Sequence, residues 1–129
     1  MNQVYSLILL TAIGGAFGSV GRYLVGLYTN KLWGDGFPWG TIAVNIIGSF
    51  LIGLAVEAVT RTFSNSAEVR VLVITGFLGG FTTFSSFSIE TMKMLERGEL
   101  FQAGYYLGST LVFGVIAVFC GLSLGKALF

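Results

Sequence analysis

The sequence has no histidine, and in 129 residues it has one cysteine, Cys120, and one proline, Pro38. Without histidine, most zinc and haem chemistry is excluded, and so is a nucleophile activated by a neighbouring imidazole. A lone cysteine makes no intrachain disulfide; Cys120 sits in an apolar run, where a packing role is expected. Charge is scarce as well, at 10% of residues, and the seven basic side chains are scattered rather than clustered. That pattern argues against nucleic-acid binding. The first apolar run has no basic leader and no Ala-x-Ala cleavage site, so it is not expected to be a signal peptide. An enzyme is not expected.

What the chain does have is apolar length. Hydrophobic residues make up 54% of it, and its mean hydropathy is +0.85. Four runs, residues 5–27, 41–59, 69–95 and 101–124, each suffice to cross a bilayer core of ~30 Å as a helix. Connections between them are short. The expected fold is therefore an all-α membrane protein with four transmembrane helices, one domain over residues 1–129. The cations divide almost evenly between the two membrane faces. Arg61, Arg70 and Lys126 fall on one side and Lys31, Lys93 and Arg97 on the other, with Arg22 near the end of the first helix. Orientation follows Lys/Arg bias. Near-parity suggests either that one helix dominates insertion or that the chain inserts both ways and forms antiparallel dimers.

The third run carries the most information. From Gly76 to Glu90 it reads Gly-Phe-Leu-Gly-Gly-Phe-Thr-Thr-Phe-Ser-Ser-Phe-Ser-Ile-Glu. Glycine weakens a helix interior, so a break near residues 79–83 is expected. Open backbone at membrane depth is tolerated where protein or a wet cavity satisfies it. Freed carbonyls in a dry interior suit a bare cation such as Na⁺. Beyond the break, Phe84 and Phe87 share a face, and Thr83, Ser86 and Glu90 form an adjacent polar stripe.

The other helices add polar groups at helical spacing. Asn45, Gly48 and Ser49 share one face of the second helix. Asn45 is read either as an interhelical hydrogen-bonding group or as a pore-lining donor. Glu57 is expected at the interface, in reach of water. Arg22 either snorkels to the interface or faces a wet vestibule, where it would favour anions. Gly14 and Gly18, Gly104 and Gly108, and Gly121 and Gly125 are small-xxx-small pairs. In the fourth helix Tyr106 and Thr110 form one i,i+4 pair and Tyr105 and Ser109 another. The register of Gly114 favours Tyr106 and Thr110 for the pore. Asn45, Thr83, Ser85, Ser86 and Thr110 offer hydrogens to an anion, and phenyl rings offer their positive edges. Such a lining suits a small, strongly hydrated anion, and a larger one would need a wider path.

Three stretches carry a resemblance to a known family: Gly18 to Arg22; Trp39-Gly40-Thr41-x-x-x-Asn45-x-x-Gly48-Ser49; and Gly76-x-x-Gly79-Gly80-x-Thr82-Thr83-Phe84-Ser85-Ser86-Phe87-x-x-Glu90. Over essentially its whole length the chain resembles the Fluc (CrcB) family of fluoride channels. The resemblance implies passive fluoride export by an antiparallel, dual-topology homodimer in the cell inner membrane, with two pores and a central structural Na⁺. By motif, Phe84 and Phe87 would contact fluoride and Asn45 would be the amide of the conduction path. Gly79 and Thr82 would offer backbone carbonyls to Na⁺. Glu90 would continue the polar track, and Arg22 would sit at the vestibule. The family pairs Tyr with Ser one turn on in the last helix. Here Tyr106 is followed by Thr110, which leaves the pore-facing pair open between Tyr106/Thr110 and Tyr105/Ser109. The competing reading is a small multidrug-type, proton-coupled exporter with Glu90 as its carboxylate; the motif of the third helix has no role in that mechanism.

Overall fold

The computed structural model describes residues 2–129, all helices and connections. Helix α1 runs Asn2–Trp33 and α2 runs Trp39–Arg61. The third crossing has two parts. Residues 67–81, here α3, begin with one α-turn at Ala67–Val69, continue as wider π-type winding over Arg70–Leu78 and return to an α-turn at Gly79–Phe81. After two extended residues, α4 spans Phe84–Glu96; α5 spans Leu100–Leu128. Four helical stretches are long and apolar enough to cross a membrane: Asn2–Trp33, Trp39–Arg61, Ala67–Glu96 and Leu100–Leu128. The chain is a multi-pass membrane protein.

With lipid outside as apolar as the side chains, helices gain from close approach rather than from hiding hydrophobic surface. Two seams achieve this. In the first, Gly14 and Gly18 of α1 meet Gly76 and Gly80 of α3. A Cβ at Gly76 would lie 2.9 Å from the Thr11 carbonyl, one at Gly80 would lie 2.7 Å from the Gly15 carbonyl, and one at Gly18 would strike the Phe77 carbonyl. In the second seam α2 lies along α5. A Cβ at Gly53 would stand 2.6 Å from the Val118 carbonyl, and one at Gly125 would stand 2.7 Å from Glu57 Cβ.

Three expectations are corrected by this packing. Gly104 and Gly108 have the spacing of a helix contact but meet nothing within 4 Å. Glu57, expected in reach of water, is buried, because α5 closes over it at Gly125; its Oε2 accepts from Arg61 Nε at 2.8 Å. Cys120 is exposed on α5, so it is no part of the protomer's buried core.

Candidate functional site

The departure from helix lies at Thr82 and Thr83, not at the glycines before them. Gly79 is helical (φ −61°, ψ −38°), whereas Thr82 (φ −88°, ψ 158°) and Thr83 (φ −151°, ψ 115°) are extended. Glycine's conformational freedom is not used here. β-Branched threonine suits extended backbone, and the hydroxyls satisfy the helix ends on either side. Thr82 Oγ1 donates to the Leu78 carbonyl at 2.9 Å. Thr83 Oγ1 caps α4, accepting the Ser86 amide at 3.1 Å.

Asn45 of α2 faces the two extended residues. Its Nδ2 donates to the Thr83 carbonyl at 3.0 Å and its Oδ1 accepts the Thr83 amide at 2.8 Å. In an uninterrupted helix the Thr83 amide would bond the Gly79 carbonyl, and the Ser86 amide would bond the Thr82 carbonyl. Both amides are directed elsewhere, to Asn45 and to Thr83 Oγ1. The Gly79 and Thr82 carbonyls thereby lose their helical donors. A pair of carbonyls without helical partners at membrane depth is a hard-oxygen donor set, the kind that suits an alkali cation. Among the described residues there is no cluster of His, Cys, Asp or Glu of the kind a transition metal would require.

A cavity of about 460 Å³ opens beside this segment. Asn45, Ser49, Thr83, Phe84, Phe87 and Thr110 all line it. Thr110 Oγ1 is buried with no hydrogen-bond partner among the described residues. On the other side of Thr83 lies a more polar cavity of about 340 Å³, lined by Arg22, Asn30, Thr41, Ser86 and Glu90 among others. Thr83 borders both. Arg22 does not snorkel outward; its Nε donates to the Gly80 carbonyl at 2.9 Å, which caps the end of α3 and leaves the rest of the guanidinium beside the polar cavity.

Glu90 joins three helices. Its Oε2 accepts from Thr41 Oγ1 at 3.0 Å and its Oε1 accepts from the Tyr106 hydroxyl at 2.7 Å. Tyr106 is wholly buried, with 0% of its surface exposed. Its ring is held between Phe87, with centroids 5.0 Å apart, and Phe37, edge-on at 5.6 Å. The neighbouring pair faces the other way. Tyr105 is 73% exposed, Ser109 donates to the Tyr105 carbonyl of its own helix, and both line an outer groove between α2 and α5. Phe84 sits 6.0 Å from Phe87, centroid to centroid, and is 79% exposed on the protomer. Ser85 is exposed, with its hydroxyl 3.3 Å from Thr83 Oγ1.

A family model described as "CrcB-like protein, Camphor Resistance (CrcB)" matches residues 9–122. The chain belongs to the CrcB family. Its relatives agree over nearly their whole lengths. A "Fluoride-specific ion channel FluC" of Agrobacterium fabrum is 56% identical over 122 residues, 95% of this chain and 98% of that one. One of Rhizobium etli is 52% identical over 120 residues, 93% and 96% of the two chains. One of Geobacter sulfurreducens is 47% identical over 121 residues, 94% and 98%.

Within this CrcB chain two groups at the site escape a reading of the sequence. Thr41 holds Glu90, and its one available signal was an i,i+4 relation to Asn45. Phe37 supports Tyr106 from the first loop; no spacing rule connects a loop phenylalanine to a helix 69 positions later.

Proposed function

We propose that this chain is a passive fluoride channel, not an enzyme, working as an antiparallel, dual-topology homodimer with two pores in the cell inner membrane. One observation carries the reading. A protein 56% identical over 98% of its own length is a fluoride-specific channel, and in this chain donor groups and phenyl edges flank the interrupted helix where such an ion would pass. Fluoride enters by the Arg22 vestibule and loses water stepwise to the Ser86 and Thr83 hydroxyls and the free Asn45 N–H. Phe84 and Phe87 meet it with ring edges, and Ser85, Tyr106, Thr110 and Glu90 complete the track. A larger halide would need a wider path.

The near-equal division of cations between the two faces supports dual topology. Exposure of Phe84 and Gly79 at mid-membrane supports a second copy covering that face. The Gly79 and Thr82 carbonyls of two copies would hold a structural Na⁺. When bound, that ion supplies a fixed positive charge at the centre of the dimer and satisfies the freed carbonyls. The three helix connections are short, which supports one domain over residues 1–129. The test is fluoride efflux from liposomes containing only this protein. Efflux down a fluoride gradient with no proton gradient is expected. Flux that requires a proton gradient would indicate the exporter instead, and no flux would remove both.

A further inference from the structure

We infer that Asn45 is a positioning residue, a clasp that keeps the third crossing open and thereby creates the pair of free carbonyls. Its side-chain amide reproduces a peptide group. One N–H and the Oδ1 are engaged with the carbonyl and amide of a single residue, Thr83, at 3.0 and 2.8 Å. This two-point contact matches the exchange between facing residues of an antiparallel ladder, here made by a side chain. It removes the Thr83 amide from the Gly79 carbonyl and holds Thr83 extended, which places Thr83 Oγ1 to cap α4. Asn45 therefore has one N–H left for the cavity it lines. An anion interaction is secondary to the clasp.

No other group near Thr83 replaces it. Arg22 holds Gly80 from the α1 side and leaves Thr83 untouched. Gly48, one turn along α2 from Asn45, lies against the Thr82 methyl, so no side chain of α2 at that level could take over the contact. Without the clasp, nothing on α2 pairs the Thr83 amide or holds Thr83 extended, and the geometry that keeps the Gly79 and Thr82 carbonyls free is lost.

The proposal deepens the channel reading in its cation part, and one set of measurements separates the two. Purified protein in lipid nanodiscs is followed by amide exchange at ¹⁵N-labelled Thr83, by the dependence of the unfolding temperature on Na⁺ against K⁺, and by fluoride efflux. In Asn45→Leu the Thr83 amide is expected to exchange about tenfold faster or more, the scale of one lost hydrogen bond. The Na⁺-specific shift in unfolding temperature should disappear with it. Phe84→Ile is the control: it should lose efflux and keep both other signals. If Asn45→Leu loses efflux yet keeps Thr83 protection and the Na⁺ shift, Asn45 is a pore donor only and the clasp is wrong. If Asn45→Leu fails to fold, Asn45→Asp answers in its place. That variant keeps Oδ1 for the Thr83 amide and should retain its protection while losing the bond to the Thr83 carbonyl. Unprotected Thr83 in the parent would overturn the clasp directly. Absence of a Na⁺ effect in the parent, with Thr83 protected, would overturn only the cation site.

Discussion

Residues 67–81 lie against α1 backbone on backbone, whereas residues 84–96 stand against α2 and α5 through side chains that hydrogen-bond across gaps. In α3 the contacts are Gly76 on Thr11 and Gly80 on Gly15, backbone against backbone, with Ser19 and Arg22 reaching Gly80 only at the end of the seam. In α4 they are Glu90 with Thr41 and Tyr106, and the Phe87 ring on Tyr106, with cavities on both sides of Thr83. One crossing of the membrane thus has a half fastened to α1 through close backbone contact and a half joined to α2 and α5 through hydrogen-bonding side chains beside two cavities. Glycine fastens the first half by letting backbones touch. Threonine, glutamate and tyrosine fasten the second while leaving hydrogens available. Two extended residues are the joint between them.

Gly18→Leu should have the largest effect, because it attacks the closed half. The first added carbon would strike the Phe77 carbonyl and stand 3.0 Å from the Phe81 amide, and backbone cannot move aside as a side chain can. A loss of about 3 kcal/mol or more is expected. It should appear as aggregated protein in size-exclusion chromatography. Gly108→Ala sharpens the contrast. The same kind of residue in the same kind of spacing has open space, so the protomer should tolerate it and gain up to about 1 kcal/mol in helix propensity. Equal outcomes for the two variants would break the comparison.

The open half should fail in function before it fails in folding. Phe84→Ile and Phe87→Ile keep bulk and hydrophobicity but remove the ring edge. Both should elute as the parent does while fluoride efflux from liposomes falls by orders of magnitude. If both variants conduct at the parent rate, the phenyl contacts play no part in permeation. The path would then follow Asn45 and the hydroxyls alone.

These contrasts show what could be read from residues and what needed coordinates. The four crossings follow from apolar length, since a bilayer leaves little else for such runs to do. The extent of each helix does not. Ends at Trp33 and Leu128 lie beyond the apolar windows because helix geometry continues through polar residues. Ser86 and Glu90 were legible as neighbours because helical spacing fixes a shared face, whereas Thr83 reaches the same cavity as the extended residue that caps α4. The partners Thr41 and Phe37 were not legible, because contacts between elements depend on how α2 and α5 are rotated. The same blindness covers the small-xxx-small pairs. Spacing puts Gly104 and Gly108 on one face as surely as Gly14 and Gly18, but only the latter pair meets another backbone. The π-type winding of Arg70–Leu78 has no signature in the residues.

A more moderate effect is expected at the three-helix junction. Tyr106→Phe keeps the ring against Phe37 and Phe87 but deprives Glu90 Oε1 of its donor at 2.7 Å. Leaving a buried hydrogen-bonding group without its partner costs about 1–3 kcal/mol, and a loss on that scale should show in thermal unfolding. Efflux should drop less than in the phenylalanine variants, since the rings stay in place. A fully stable Tyr106→Phe would mean that water replaces the hydroxyl, and that the junction is wetter than the packing of Tyr106 suggests.

The smallest change in stability should come at Thr110, and its sign separates the two halves most sharply. Its hydroxyl is buried beside the larger cavity with no partner among the described residues. An unsatisfied buried hydroxyl costs about 1–3 kcal/mol. Thr110→Val replaces it with a methyl of the same shape, so the folded state should hold its stability or gain about 1 kcal/mol. In the closed half such a substitution has no counterpart, since no polar side chain there waits for a partner. If the hydroxyl is kept for a passing anion, Thr110→Val must trade conduction for stability: efflux falls as the unfolding temperature rises or stays level. A variant that is less stable, with efflux lost in proportion, would show that the hydroxyl is held by water or by a second copy. A variant that is more stable and conducts as before would show that Thr110 faces the cavity without touching what moves through it.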